Sequence, residues 1–514
     1  MATARPTSSV LTTAAVRRCS VAAATLWLVA GCSPAPRSPA QGGPVWRELT
    51  TDRFVLHTDL DEGAAHAAAS EFEAASATLE QVAFPHEGSG PRLDIVVFRN
   101  ELEFHHFWPR DMAGLYLDRP PEDVERAPTM VLHGTLAGGA RIVFLHELTH
   151  RFMARSFGSA PVWMNEGLAD YFSTMRVEGG QVVLGVVPAG RVIDPSLIPS
   201  VRELVTADRE AFYGAWTGDD GEDLHRVRFY AGAYALVHML RNGTDDQRRS
   251  YDAFVQAMNA GAPGDEAWAR TLGTMPDDAL ERMFRAHLAG WREWDLFAAP
   301  ARPVASPSHE SVRTMSDAEV HLLWARLIRP SPGEGTREVQ AQLDAALARA
   351  PASPEVAYWR GCFELGQWRA GAARELFQAA LAQEPDNPRY LYAMLMARLR
   401  GGGHQATVLS LLDRLERVAR SADELGAVAL YESSRRDRDA AMRHAEAAVA
   451  ADPGYAGAIA IRARVHFEAG ELAAAVSDQE RALALLPERV DDRSMVQALA
   501  DYRRALSNAG GGGR

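Results

Sequence analysis

His146-Glu147-Leu148-Thr149-His150 is followed, after fifteen intervening residues, by Glu166 within Pro161-Val162-Trp163-Met164-Asn165-Glu166-Gly167-Leu168-Ala169-Asp170-Tyr171. Residues four apart share a helix face, so the imidazoles of His146 and His150 reach a single metal ion. Glu147 lies about 100° further round that helix, which places its carboxylate beside metal-bound water rather than on the metal. Apolar Ile142, Val143, Phe144 and Leu145 predict a buried helix over 141–155. The intervening residues suffice for this helix to end near Gly158, turn, and be met by a second helix packed against it. Glu166 then completes a set of two histidines and one glutamate with a position left open, as catalytic zinc requires. Asp170, one turn beyond Glu166 on the same face, is placed to accept the free N–H of a ligand histidine and fix its tautomer. The competing reading is two core-facing histidines bonded to backbone.

Working outward, residues 45–298 form the first folded region. Phe54-Val55-Leu56, residues 93–98 and Thr129 to Leu132 are β-rich runs. Gly63 to Val82 has helical spacing at Phe72, Leu79 and Val82, and Tyr230 to Leu240 predicts a further helix. Met175 to Leu184, with Gly179-Gly180 at its centre, predicts a hairpin. Early strands and later helices predict an α+β fold. Thr129 to His133 offers either a sheet edge to an extended peptide or an ordinary core strand. Prolines 300, 303 and 307 predict a linker over 299–314.

The two motifs together, HExxH and then Asn-Glu-Gly-x-Ala-Asp, resemble the gluzincin metallopeptidases, and among them the bacterial peptidase MA-like group. The resemblance implies a zincin-like catalytic domain holding one zinc ion through His146, His150 and Glu166, with Glu147 as general base. Tyr230-Ala231-Gly232-Ala233-Tyr234 is similar to the start of a helix where related aminopeptidases place an oxyanion-stabilising tyrosine. This implies that role for Tyr230, with Tyr234 and Tyr213 as substitutes. The Gly-Ala-Met-Glu-Asn type of segment that grips a free amine is missing, which favours an endopeptidase. The resemblance covers roughly 45–298, with its specific motifs at about 140–240.

Residues 315–507 repeat. Pro351, Pro385, Pro453 and Pro487 are spaced 34, 68 and 34 apart, and the missing member falls at Ala419. Alanines 346, 380, 448 and 482 stand five residues before each proline, and Ala373, Ala441 and Ala475 twelve before three of them. Small side chains let paired helices approach, and proline ends the second helix of each pair. This pattern resembles tetratricopeptide repeats, which implies an all-α superhelix that recruits a protein partner. The glycine-rich tail 508–514 is expected to be disordered.

At the other end, Arg17, Arg18 and the short apolar run Ser20 to Ala30 read as a secretory signal over 1–31. Leu28-Val29-Ala30-Gly31-Cys32 resembles a bacterial lipobox, which implies lipidation of Cys32, a membrane anchor and an envelope location. Ser33 after the cysteine favours the outer membrane, by the same resemblance. Residues 32–44 read as a disordered tether.

Composition narrows the remaining functions. All 54 basic residues are arginine, which removes P-loop and Schiff-base lysine chemistry. A net charge of −13 without a basic tract argues against nucleic acid. Three cysteines cannot build a disulfide framework, and Cys362 reads as packing. His105-His106, between Phe104 and Phe107, lacks a matching carboxylate partner nearby and reads as packing or surface. Asp219, Asp220, Glu222 and Asp223 read as a solvated loop. The leading reading is a zinc peptidase acting on a peptide or protein substrate. The alternative is an inactive envelope scaffold that works through its repeats.

Overall fold

The computed structural model describes residues 36–511 apart from 85–89, 110–111, 118–127, 137, 158–159, 189–190, 192–193, 215–219, 303–309, 329–332, 403–404 and 487–492. The segment expected as a leader, and Cys32, lie outside the described residues. No described helix is long and apolar enough to cross a membrane.

The β-rich runs form one sheet. β1 (Arg47–Thr50), β2 (Phe54–Thr58), β3 (Leu93–Phe98), β4 (Gly114–Leu117) and β5 (Thr129–His133) assemble in the order β4-β5-β3-β2-β1. The three central strands are parallel, with Leu56 opposite Ile95 and Ile95 opposite Met130. β1 and β4 are antiparallel to their neighbours. Side chains alternate across a pleated strand, so β3 serves two cores. Ile95 and Val97 face α1 (Glu62–Val82) and its Phe72, whereas Val96 and Phe98 join Phe104 of α2 (Glu101–Phe107) and Trp46. Asp61 caps α1 by accepting from the Ala64 amide at 2.9 Å. β5 is therefore an interior strand, with β4 outside it among the described residues. Of the two readings left open for Thr129 to His133, the core strand holds; Gly114 to Leu117 is too short and too lightly buried to announce its neighbour in the sequence.

α3 (Gly139–Ser156) follows β5 and α4 (Val162–Ser173) packs on it, as the motif spacing predicts. β6 (Arg176–Glu178) and β7 (Gln181–Leu184) form the predicted hairpin, with Gly179 and Gly180 both at positive φ. α5 (Val201–Thr206), α6 (Arg209–Tyr213), α7 (Asp220–Asn242), α8 (Asp245–Asn259), α9 (Gly264–Arg270) and α10 (Asp277–Ala289) complete this region. α4 crosses α7 at Gly167, where an added Cβ would stand 2.5 Å from the Ala233 carbonyl oxygen.

The segment expected as a linker over 299–314 holds structure at both ends. β8 (Phe297–Pro300) pairs with β7, and β9 (Ser311–Thr314) pairs with β1 to become the sixth strand of the main sheet. Every β9 residue is exposed, so no apolar alternation marks it in the sequence. α11 (Asp317–Leu327), expected to begin the repeats, instead covers the second face of the sheet. Val320, Leu323 and Trp324 pack on Trp46, Val96 and Phe98, and Arg326 pairs with Asp94. The expected disordered tether is also ordered from residue 36. Ser38 is fully buried, and the Ala40 amide donates to Asp317 Oδ1 at 2.8 Å.

The remaining helices are α12 (Glu334–Arg349), α13 (Pro354–Gly366), α14 (Ala370–Gln383), α15 (Pro388–Arg400), α16 (Gln405–Val418), α17 (Ala422–Ser434), α18 (Arg438–Ala451), α19 (Ala456–Ala469), α20 (Leu472–Ala484) and α21 (Arg493–Gly511). They form an all-α array of paired helices. Alanines 346, 373, 380, 441, 448, 475 and 482 are all fully buried at helix contacts. In the degenerate repeat before Ala419, Leu411, Leu412 and Leu415 fill that role. The backbone keeps the same register: Trp368, Gly402, Arg436 and Gly470, each 34 residues from the next, all adopt positive φ between their paired helices. α21 continues to Gly511, so the expected disordered tail is helical at its start.

Candidate metal centre

α3 and α4 bring the two halves of the motif together. His146 Nε2 lies 3.1 Å from His150 Nε2 and 3.3 Å from Glu166 Oε2, and His150 Nε2 lies 3.6 Å from that same oxygen. Among the described residues, these are the only three such groups converging within metal-binding reach. Glu166 is buried and its Oε2 accepts no hydrogen bond. A buried carboxylate oxygen without a partner is costly unless a cation faces it, so the site has the chemistry of a cation holder. Two imidazoles and a carboxylate form a zinc-type donor set.

The other atoms of these side chains are anchored, which turns each Nε2 toward the common point. His146 Nδ1 meets Asp170 Oδ1 at 3.0 Å, and His150 Nδ1 meets Asn165 Oδ1 at 3.1 Å. Glu166 Oε1 accepts from the Tyr213 hydroxyl at 2.5 Å. Asp170 is held in turn by Arg191, whose Nη2 donates to Oδ1 at 3.1 Å and whose Nε donates to Oδ2. Arg191 also lies 4.4 Å over the ring of Tyr230, which stands 6.4 Å from the His146 ring.

The electrostatics point the same way. Burial alone would lower the imidazoles, but the Asp170 hydrogen bond and the charges of Asp170 and Glu166 push His146 up to about 10. His150 is raised for the same reason, chiefly by the Glu166 charge. Glu166, despite burial, is held well below the usual carboxylate range by the two histidines. The pocket thus favours positive charge. Burial and Glu166 drive Tyr213 and Tyr230 far above the ordinary phenol range, so both remain hydroxyl donors. Glu147 is half-buried beside His146 and close enough for its charge to act on His150 and Tyr213.

The residues singled out by sequence are therefore brought to one place: His146, Glu147, His150, Glu166 and Asp170, with Tyr230 alongside. Tyr213, read only as a substitute, is the tyrosine bonded to Glu166. Tyr234 points elsewhere, donating to the Gly185 carbonyl at 2.8 Å. Two residues escaped the sequence reading. Asn165 adjoins Glu166 in the motif, and that adjacency was the available signal. Arg191 comes from the irregular stretch after β7, where no spacing marks it. His106 does have a carboxylate partner, Glu338 at 2.8 Å, which chain distance concealed, and His105 has Glu101 at 3.4 Å. Cys362 packs against the repeat core. Asp219 lies outside the described residues, while Asp220, Glu222 and Asp223 fall in the first turn of α7.

No family model matches the chain. No curated protein matches it either. Among solved structures, a thermophilic TPR protein of Thermus thermophilus aligns with 37% of this chain and 97% of its own, at 21% identity and a TM-score of 0.27. YrrB, a TPR protein with an unusual peptide-binding site, aligns with 36% of this chain and 92% of its own, at 18% identity and a TM-score of 0.27. Yeast Tom70 aligns with 62% of this chain and 68% of its own, at 12% identity and a TM-score of 0.25. The repeat reading rests on the chain's own 34-residue register.

Proposed function

We propose that this chain is a zinc-dependent peptidase of zincin type, held at the cell envelope through lipid on Cys32. The observation that carries the reading is the convergence of three ligand atoms on one point, with Glu166 Oε2 buried and unbonded. His146, His150 and Glu166 would hold the ion. Bound zinc supplies a Lewis acid and lowers the pKa of water toward neutrality.

The chain's own residues do the rest. Glu147 takes a proton from the attacking water on its carboxylate and passes it to the departing amine nitrogen. Tyr230 keeps its hydroxyl proton and donates toward the oxygen of the scissile carbonyl as charge builds there. Asp170, fixed by Arg191, keeps His146 oriented through Nδ1, and Asn165 does so for His150. Elemental analysis and peptide-library digestion test this together. The expected result is one zinc per chain and cleavage abolished by chelator. Full metal content in His146→Ala would refute the ligand assignment.

The repeat array supports a second reading, in which the chain binds a protein partner and the metal region is a scaffold. The two readings are compatible if the array recruits what the metal region cuts. Capture of a partner unaffected by chelator, with no cleavage of any peptide, would favour the scaffold alone.

A further inference from the structure

The two carboxylate oxygens of Glu166 have different surroundings. Oε2 is buried without a hydrogen-bond partner and faces the Nε2 atoms of His146 and His150, at 3.3 and 3.6 Å. Oε1 is taken up by the Tyr213 hydroxyl, which donates to it at 2.5 Å. The difference comes from one residue outside the two motifs.

Tyr213 is itself held in place. It ends α6, a short helix capped by Asp208, whose side chain accepts from the Ala211 amide at 2.8 Å. Its neighbour Phe212 is fully buried and anchors α6 against α4 and α7. The Tyr213 ring lies 6.2 Å from the Tyr230 ring, and the Arg209 guanidinium sits 5.1 Å over it. These contacts fix the ring, so the direction of its hydroxyl is preset.

A carboxylate binds a cation through one oxygen or through both. Catalytic zinc takes three protein ligands and keeps a fourth position for water or substrate. A glutamate that gave both oxygens would fill that position. A hydrogen bond fixed on Oε1 favours the arrangement in which Oε2 alone serves as ligand. Resting on the zinc reading above, we propose that Tyr213 is a positioning residue that limits Glu166 to one-oxygen ligation through Oε2. It thereby keeps a coordination position free for the attacking water.

The test loads the full chain with cobalt(II), whose visible absorption is intense in four-coordinate sites and weak at higher coordination. The native chain is expected to bind one cobalt ion with the intense spectrum. Tyr213→Phe keeps the ring but frees Oε1, so its absorption should fall to about half or less with the ion still bound. Tyr230→Phe alters the same ring cluster without removing a bond to Glu166, and should keep the native spectrum. Should Tyr213→Phe fail to fold, X-ray absorption of the zinc-loaded native chain decides. A four-coordinate shell of nitrogen and oxygen is expected, and a higher coordination number would overturn the proposal. An unchanged cobalt spectrum in Tyr213→Phe, or an equal loss in Tyr230→Phe, would overturn it and leave the zinc reading standing. A native chain that binds no cobalt would overturn both.

Discussion

Arg155 Nη1 stands 2.8 Å from Asp452 Oδ1, across 297 residues of chain. Arg155 lies in the last turn of α3, the helix that carries both histidines, and Asp452 in the turn between α18 and α19. Both side chains are about nine-tenths buried. Gly454 makes the approach possible, since a Cβ there would sit 3.0 Å from the Arg155 Cα. The helical array is thus tied to the helix that carries His146 and His150.

Asp452→Ala leaves a buried guanidinium without this partner, and removing one member of a buried pair typically costs about 3–5 kcal/mol. Denaturant unfolding should show a loss of that order. A change under about 0.5 kcal/mol, the scale of an exposed pair, would mean that the contact is solvent-screened.

Asp170→Asn keeps the size of the side chain but removes the charge that orients His146 and engages Arg191. Removing such an outer partner typically weakens metal affinity about 10- to 100-fold. Competition against a chromogenic zinc chelator measures this directly, and unchanged affinity would show that His146 needs no orienting carboxylate.

Gly167→Ala puts a methyl group against the Ala233 carbonyl of α7. Backbone cannot yield as a side-chain tip can, so overpacking should cost about 1–3 kcal/mol. A Gly167→Ala melting temperature equal to that of the native chain would place slack between α4 and α7.

Acid stability follows from a second buried cluster. His238 Nδ1 faces His287 Nε2 at 3.2 Å, and both rings stack on Trp294. Burial pushes His238 down to about 4 and His287 down to about 3. The unfolded chain binds protons near pH 6.5 that the folded pair refuses. Stability is therefore complete above that pH and falls as pH drops toward 4 and 3, by about 2 kcal/mol per histidine between pH 6.5 and 5. Melts across this range should show the loss, and His238→Phe should flatten it. An unaltered slope in that variant would assign acid lability to other groups.

The metal-type cluster was legible because helix periodicity and one turn-length constraint fix its geometry locally. The spacing of His146 and His150 sets their common face, and the stretch to Glu166 leaves room for one turn. Arg191 was not legible because it reaches Asp170 from an irregular segment, where neighbours in space have no period in sequence. The same limit hid β9, whose pairing with β1 adds to its backbone bonds only the Arg313–Glu48 ion pair and leaves no apolar signature. Alanines at constant spacing made the array readable, since close helix approach demands small side chains wherever it occurs. The turn residues were silent: the left-handed backbone at Trp368 is imposed by the array and runs against the residue's own preference.

The most direct test of the proposed peptidase is the cleavage rate of a peptide mixture by Glu147→Gln beside the native chain, both loaded to equal zinc content. The account predicts a loss of about 10²- to 10⁴-fold with the metal retained, because the carboxylate that accepts the water proton is gone. Equal cleavage by the two proteins would contradict it.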